Sequence, residues 1–335
     1  MYMGTTYLIT GAAGHLGHNL TRQLVQAHKK VRALVLPGDR LAAFLPKAAE
    51  RVEGDVCDPA SLRHFFSLPQ GEEAVVLHCA GIVTIAARYD QRVYHVNVCG
   101  TKNVLAECSA HAVKKLVYVS TVHAIPELPK GQTMTEIYDF SPDRVTGLYA
   151  KTKAEATATV LRAAGQGLNA SVVHPSGLSG PFDYGRGHLT QLLTDYCRGR
   201  LTAGVKGGYD FADVRDVAAG ILSCCDRGVP GECYILSNRY VPLPELFDLF
   251  HSATGCRPIH TYLPMWFALG TAALSELYYK LLRQPPLYTA YSLRTLTGNA
   301  LFSHEKADRA LGYTTRPLAE TIRDTVNWLR AQGRI

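Results

Sequence analysis

The segment YLITGAAGHLGHNL near the start of the chain constrains the fold more than any other stretch. A β-rich run, Tyr7-Leu8-Ile9-Thr10, leads directly into Gly11, Gly14 and Gly17 in the spacing G-x-x-G-x-x-G, and an amphipathic helical pattern follows. Glycines in that register let the backbone turn tightly and approach a pyrophosphate. The helix start, with His15 and Leu16 between the glycines, offers unpaired N–H groups and the positive end of its dipole to the anion. A bare strand-to-helix turn needs one or two glycines, so three in register predict a dinucleotide-binding loop.

Further apolar runs repeat the alternation: VRALVL, AVVLHCA, KLVYVS and NASVVHP, with helical patterns such as VYHVNVCGTKNVLAECSAH between them. That order predicts βαβ crossovers. The expected fold is α/β, a doubly wound parallel (Rossmann) sheet with a smaller, discontinuous mixed α/β substrate domain towards the C-terminus. GECYILS, residues 231–237, reads as a late strand that completes the sheet. The predicted division is therefore 1–175 and 210–237 for the dinucleotide-binding domain, and 176–209 and 238–335 for the substrate-binding domain.

With 47% hydrophobic and 19% charged residues the chain is too apolar for disorder. Its formal charge of +7 comes from scattered lysines and arginines, which favours an anionic cofactor or substrate and argues against nucleic-acid binding. The nine cysteines form no C-x-x-C pair and read as buried free thiols, Cys79, Cys99, Cys224 and Cys225 among them; no metal site is predicted. These thiols, and an N-terminus without a signal-peptide core, predict a cytoplasmic protein. The one long apolar stretch, Leu263 to Leu282, carries Glu276 and Lys280 and is read as a buried or amphipathic helix; no membrane span is predicted.

TGLYAKTKAEA, residues 146–156, holds the one Tyr-x-x-x-Lys of the chain, Tyr149 and Lys153, a turn apart on a helix. A free tyrosine titrates at about pH 10, too high for proton exchange at neutral pH, and a fixed ammonium nearby favours the phenolate. At the adenosine end, Leu36 stands where an acid would accept from a ribose hydroxyl or an arginine would pair with a 2′-phosphate. Arg32, Asp39 and Arg40 are nearby and read as surface charges, with Arg40 the one able to meet a phosphate. In EGDVCD, Asp55 and Val56 suit an adenine amino group and ring face, and Asp55 reads equally as a loop cap.

With TGAAGHLG, GDVCD, LHCAG, NVCGT, VYVST, Tyr149-x-x-x-Lys153 and VVHPSGLSGPF in order, the chain resembles the extended short-chain dehydrogenase/reductase family. Within that epimerase/dehydratase superfamily it is most similar to the dihydroflavonol-reductase-like and 3β-hydroxysteroid-dehydrogenase-like branch. The likeness covers nearly the full length, continuing into FADVRDVAAG and the C-terminal FSHEKADRALGYTTRPLAETIRDTVNWL. It implies NAD or NADP as cofactor, Tyr149 as general acid/base, Lys153 as its tuner and Thr121 as the hydroxyl partner, with Ser120 beside it. It also implies that His78, Ala80 and Gly81 form a turn beside the cofactor. Asn97 would stand in a helix behind the active site, and His174-Pro175-Ser176 would flank the nicotinamide.

Sugar-nucleotide branches of the family commonly carry an asparagine where this chain has Gly177, and HPSGLSGPF looks like the ketone-reductase version. The expected function is interconversion of a ketone and a secondary alcohol on an apolar, ring-containing small molecule. A nucleotide-sugar epimerase or dehydratase is the alternative, with Arg198, Arg200 and Arg239 available for a diphosphate; a non-catalytic NAD(P)-sensing protein is a third reading. His123, Tyr184, Arg186 and His188 read either as substrate contacts or as solvated loop residues. Trp266, Phe267, Tyr278 and Tyr279 suit either a ring-shaped substrate or a helix core, and core is the reading for most of them. In many relatives the helices around 97–110 and 150–164 form a dimer interface, so a homodimer is a further expectation.

Overall fold

The computed structural model describes residues 4–84, 89–111, 113–185, 187–270 and 290–335. Strand β1 (Gly4–Thr10) pairs in parallel with β2 (Lys30–Val35) on one side and β4 (Glu72–His78) on the other. Outside β2 lies β3 (Glu50–Glu53). Outside β4 follow β5 (Val113–Val119), β6 (Ala170–Pro175) and β10 (Cys233–Leu236), giving seven parallel strands in the order β3-β2-β1-β4-β5-β6-β10. The direction of winding reverses between β1 and β4, so the loops that follow them diverge and leave a crevice at the carboxyl ends of the strands.

Neighbouring residues of each strand go to opposite faces. Leu8, Val76, Leu116 and Val172 join one core with α2 (Pro59–Phe66), α4 (Thr101–Ala110) and α5 (Leu148–Gly165). Ile9, Val75, Val117 and Val173 join another with α1 (His15–Gln26) and α7 (Val214–Arg227). This period of two, apolar on both sides, is what a sheet buried on both faces demands of its sequence. The short α2 is set by its cap: the Asp58 carboxylate accepts from Ala60 and Ser61 N–H, and Pro59 fits the first turn. The short α3 (Gln91–Tyr94) runs through a wide π turn, His95–Gly100, into α4.

The smaller part holds a three-stranded sheet, in which β9 (Gly208–Asp213) lies between β7 (Gly177–Ser179, parallel) and β11 (Tyr240–Pro242, antiparallel). A further pair joins β8 (Gly204–Val205) to β12 (Tyr262–Leu263). Here α6 (His188–Cys197), α8 (Leu243–Thr254) and the helix Leu318–Ala331 bury Leu193, Tyr196, Phe247, Ile322 and Val326. Arg215 bridges Asp213 and Asp324, and Arg316 holds Asp216, tying β9 and α7 to the segment around that last helix.

Two expectations change here. Trp266 and Phe267 are 75% and 43% exposed, not core, because the turn of helix at 265–270 presents Ala268 to Leu293 and turns the rings outwards. Tyr278, Tyr279 and the rest of that apolar stretch from 271 lie outside the described residues. All nine cysteines are free, yet Cys79, Cys99 and Cys225 are only partly buried. Among the described residues no helix is long and apolar enough to cross a membrane.

Candidate active site

The glycine loop is shaped by close approaches that only glycine tolerates. Gly11 has φ +67°, and a Cβ there would lie 2.7 Å from the Ala80 nitrogen; at Gly17 a Cβ would lie 2.2 Å from the Gly11 carbonyl oxygen. Gly14 caps α1 without a side-chain hydrogen bond, and the first turn carries no acidic residue. The amides around His15 and Leu16 therefore meet neither a competing cap nor a repelling charge, which fits a bound pyrophosphate. His15 turns its ring away, with Nε2 at 3.1 Å from the Pro181 carbonyl.

His78 works beneath this loop. Thr101 donates to Asn97 O at 2.7 Å, so His78 Nε2, 3.0 Å from Thr101 Oγ1, must be the donor in that pair. Nδ1 then accepts from Thr10 at 2.7 Å, and Thr10 Oγ1 accepts the Ala80 N–H at 3.2 Å. Burial pulls His78 down to about 3, so the ring stays neutral and ties the ends of β1 and β4 to α4. Asn97, in the π turn, brackets Ile82 through both its amide groups and donates to Thr152, whose hydroxyl donates to Tyr149 O. A chain of hydrogen bonds thus runs from the turn containing Ala80 and Gly81 to the first turn of α5.

Tyr149 and Lys153 lie one turn apart on α5, entered through Gly147 at φ +98°. Lys153 is buried; its ammonium donates to Val119 O at 2.6 Å and sits 4.4 Å over the Tyr118 ring. Burial lowers its pKa to about 7. Ser120 and Thr121, consecutive in the chain, go opposite ways. Ser120 Oγ lies 2.7 Å from Thr157, and because Thr157 donates to Lys153 O, Ser120 is the donor and faces the back of α5. Thr121 Oγ1 accepts from His123 N at 3.3 Å, which leaves its hydroxyl hydrogen without an acceptor among the described residues. His174 Nδ1 donates to Thr121 O at 3.0 Å, and its ring stacks on Phe140; burial keeps it neutral, down to about 4. Pro175 ends β6 and Ser176 is buried just beyond it.

The wall beside Tyr149 is aromatic. His123 presents its ring edge-on to Tyr149, 6.3 Å between centroids, and stacks on Tyr209 at 5.5 Å with Nε2 and the Tyr209 hydroxyl 2.8 Å apart. Sequence reasoning missed Tyr209, although the alternation in YDF puts Tyr209 and Phe211 on one face of β9. Gly177 is crowded: a Cβ there would lie 2.8 Å from Asp210 O and 3.1 Å from the Tyr209 ring.

Other candidates fall elsewhere. Tyr184 stacks on Phe44 at 4.1 Å and meets His18 and Trp328 edge-on, joining the loop after β7 to α1 and to the turn after β2. His188 is exposed at the start of α6, and Arg186 lies outside the described residues. At the adenosine end Leu36 is 54% exposed and Arg40 is exposed. Arg32 is held by Glu50 and the Phe65 and Ser67 carbonyls, and Asp39 caps Leu41. Asp55 accepts from Cys57 N at 2.8 Å, the loop-cap geometry, and Val56 packs beside Gly100. Of the arginines considered for a diphosphate, Arg200 pairs with Asp195 and Arg239 with Glu245. Arg198 lines a separate cavity of about 360 Å³ with Arg330 and Arg334, where helix ends converge.

The profile of the NAD dependent epimerase/dehydratase family matches residues 7–236. The chain is 30% identical over 332 residues, 98% of this chain and 100% of the relative, to a protein of Methylococcus capsulatus named sterol demethylase protein B. It is 27% identical over 365 residues, 97% and 95% of the two chains, to 3 beta-hydroxysteroid dehydrogenase type 7 of Mus musculus. Its fold is similar to the solved structure of gox2253, with a TM-score of 0.83, 30% identity and coverage of 98% and 99%.

Proposed function

The chain belongs to the NAD dependent epimerase/dehydratase family, the extended short-chain dehydrogenase/reductases, and from that premise we propose that this oxidoreductase interconverts a ketone and a secondary alcohol on an apolar, ring-containing molecule. The observation that carries the reading is Lys153, one helical turn from Tyr149 and pinned to the Val119 carbonyl two residues before Thr121, whose hydroxyl accepts from His123 N and keeps its hydrogen to give. Thr121 holds the substrate oxygen; Tyr149 gives it a proton in reduction and takes one in oxidation; Lys153 as ammonium favours the phenolate. The nicotinamide, when bound, supplies or accepts the hydride.

The residues proposed to hold the dinucleotide are Gly11, Gly14, His15, Leu16 and Gly17 for the pyrophosphate, Leu36, Arg40, Asp55 and Val56 for the adenosine, and Ala80, Gly81, Lys153 and His174 to Ser176 for the nicotinamide half. His78, Asn97 and Ser120 support that surface through their hydrogen bonds. With Leu36 at the ribose position, weak discrimination between NAD and NADP is part of the proposal. So are a domain division at 175 and 237, with the middle boundary after β9 at Asp213 instead of at 210 because β9 lies between β7 and β11, and a homodimer through the outer faces of α4 and α5, which sedimentation would test.

An apolar substrate is supported by Gly177, where an asparagine would drive its Cβ into the Asp210 carbonyl, and by the engagement of Arg200 and Arg239 with carboxylates. The relatives' names, a sterol demethylase and a hydroxysteroid dehydrogenase, point the same way. Apolar burial would then supply most of the affinity, at about 25 cal/mol per Å² before the costs of association. The test is a panel of steroid and aromatic ketones beside UDP- and dTDP-sugars, followed by reduced-cofactor absorbance and, for the sugars, by product stereochemistry. Turnover of ketones supports the reading; turnover of sugars alone replaces it with the epimerase.

A further inference from the structure

Three elements meet at the wall beside Tyr149. Thr121 and His123 come from the turn after β5, Tyr149 from α5, and Tyr209 from β9 of the smaller part, 86 residues from its hydrogen-bond partner His123. Gly177 on the neighbouring strand β7 makes room for the Tyr209 ring, since even a methyl group there would press on it at 3.1 Å. His123 Nδ1 has no partner among the described residues and is not sealed from solvent.

We propose that Tyr209 is a positioning residue: its hydroxyl donates to His123 Nε2, fixing the imidazole with Nδ1–H directed at a second acceptor oxygen of the substrate, close to the reacting carbon. This rests on the ketone–alcohol reading above and narrows it to substrates with two neighbouring oxygens. A phenol is the better donor of the pair, and a neutral imidazole that accepts at one nitrogen carries its proton on the other. Burial keeps the His123 ring neutral, down to about 4, so this arrangement holds throughout the neutral range. The same turn sets both contacts, because the Thr121 hydroxyl that holds the reacting oxygen also caps the His123 backbone N–H. Thr121 and His123 would therefore grip two oxygens of one substrate at a fixed spacing.

Two measurements on the holoenzyme test this. The first compares cyclohexanone with ethyl 2-oxocyclohexanecarboxylate, which adds an acceptor oxygen beside the ketone, in wild type, Tyr209→Phe, His123→Phe and the double variant. We expect wild type to favour the keto ester through a lower KM. Each single variant should lose about tenfold of that preference, the effect of one hydrogen bond, and the double variant no more than either. Additive losses, or a Tyr209→Phe enzyme with the preference intact, overturn the proposal. The second measurement is nitrogen-15 NMR of histidine-labelled protein, which needs no substrate: Nδ1 of His123 should carry the proton in wild type and share it with Nε2 in Tyr209→Phe. A proton resident on Nε2 in wild type also overturns it. A wild type that turns over nucleotide sugars and neither ketone overturns the function proposed above instead, and the NMR result then decides the His123 arrangement by itself.

Discussion

Lys153 donates to the carbonyl of Val119 at 2.6 Å, fastening α5 to the last residue of β5 at the point where Ser120 and Thr121 diverge. One hydrogen bond thus registers the helix that carries Tyr149 against the strand end that carries Thr121. The cost is a buried ammonium whose pKa falls to about 7.

That cost gives the first prediction. Lys153 has a folded pKa below its unfolded value of about 10.5, so between about pH 7 and pH 10.5 the unfolded chain binds more protons and stability rises with pH. Below pH 7 the charge is present in both states and its burial penalty, on the order of several kcal/mol, is felt in full. Lys153→Met should therefore be most stable relative to wild type near pH 6 and lose that advantage through pH 10. Urea denaturation at several pH values checks it; a difference independent of pH would contradict the buried-charge account.

Gly17→Ala should damage cofactor binding as well as the fold. Its Cβ would lie 2.2 Å from the Gly11 carbonyl, so the loop must shift, at a cost of about 1–3 kcal/mol. Dinucleotide affinity measured by titration calorimetry should fall at least about tenfold. Unchanged affinity would mean that the dinucleotide sits elsewhere.

Which features the sequence revealed follows from how local they are. The glycine loop is a strand, a turn and a helix in one continuous stretch, and Tyr149 with Lys153 needs only the helical period, so both could be read directly. Thr121 and Ser120 could be told apart in advance only through the family resemblance. In the structure they differ because, just past the end of β5, Ser120 donates to Thr157 on α5 while Thr121 caps the following turn at His123 N. Asp55 was legible as an adenine contact or as a loop cap; its carboxylate accepts from Cys57 N, which makes the cap and leaves the adenine contact as a proposal. Tyr209 was not legible: its partner is 86 residues away, and no local pattern reports a pairing between β9 and the turn after β5. The exposure of Trp266 was hidden for the related reason that an apolar helix pattern does not say which face finds a partner.

Kinetics with both dinucleotides should show less than about tenfold preference, because Leu36 can neither accept from a ribose hydroxyl nor pair with a phosphate. Arg40→Ala should weaken NADP alone, by a few-fold, as expected for an exposed charge. A large NADP preference that survives this change would show that the phosphate is held by other residues.

The central claim, that Tyr149 transfers the proton in a ketone–alcohol interconversion, is tested most directly by measuring turnover and cofactor affinity side by side in wild type and Tyr149→Phe, using a ketone that the wild type reduces. The ring stays and only the hydroxyl goes, so dinucleotide affinity should change by less than about threefold while kcat falls by about 10²–10⁴, the usual worth of a positioned proton donor. A Tyr149→Phe enzyme that keeps more than about a tenth of wild-type kcat would contradict the account.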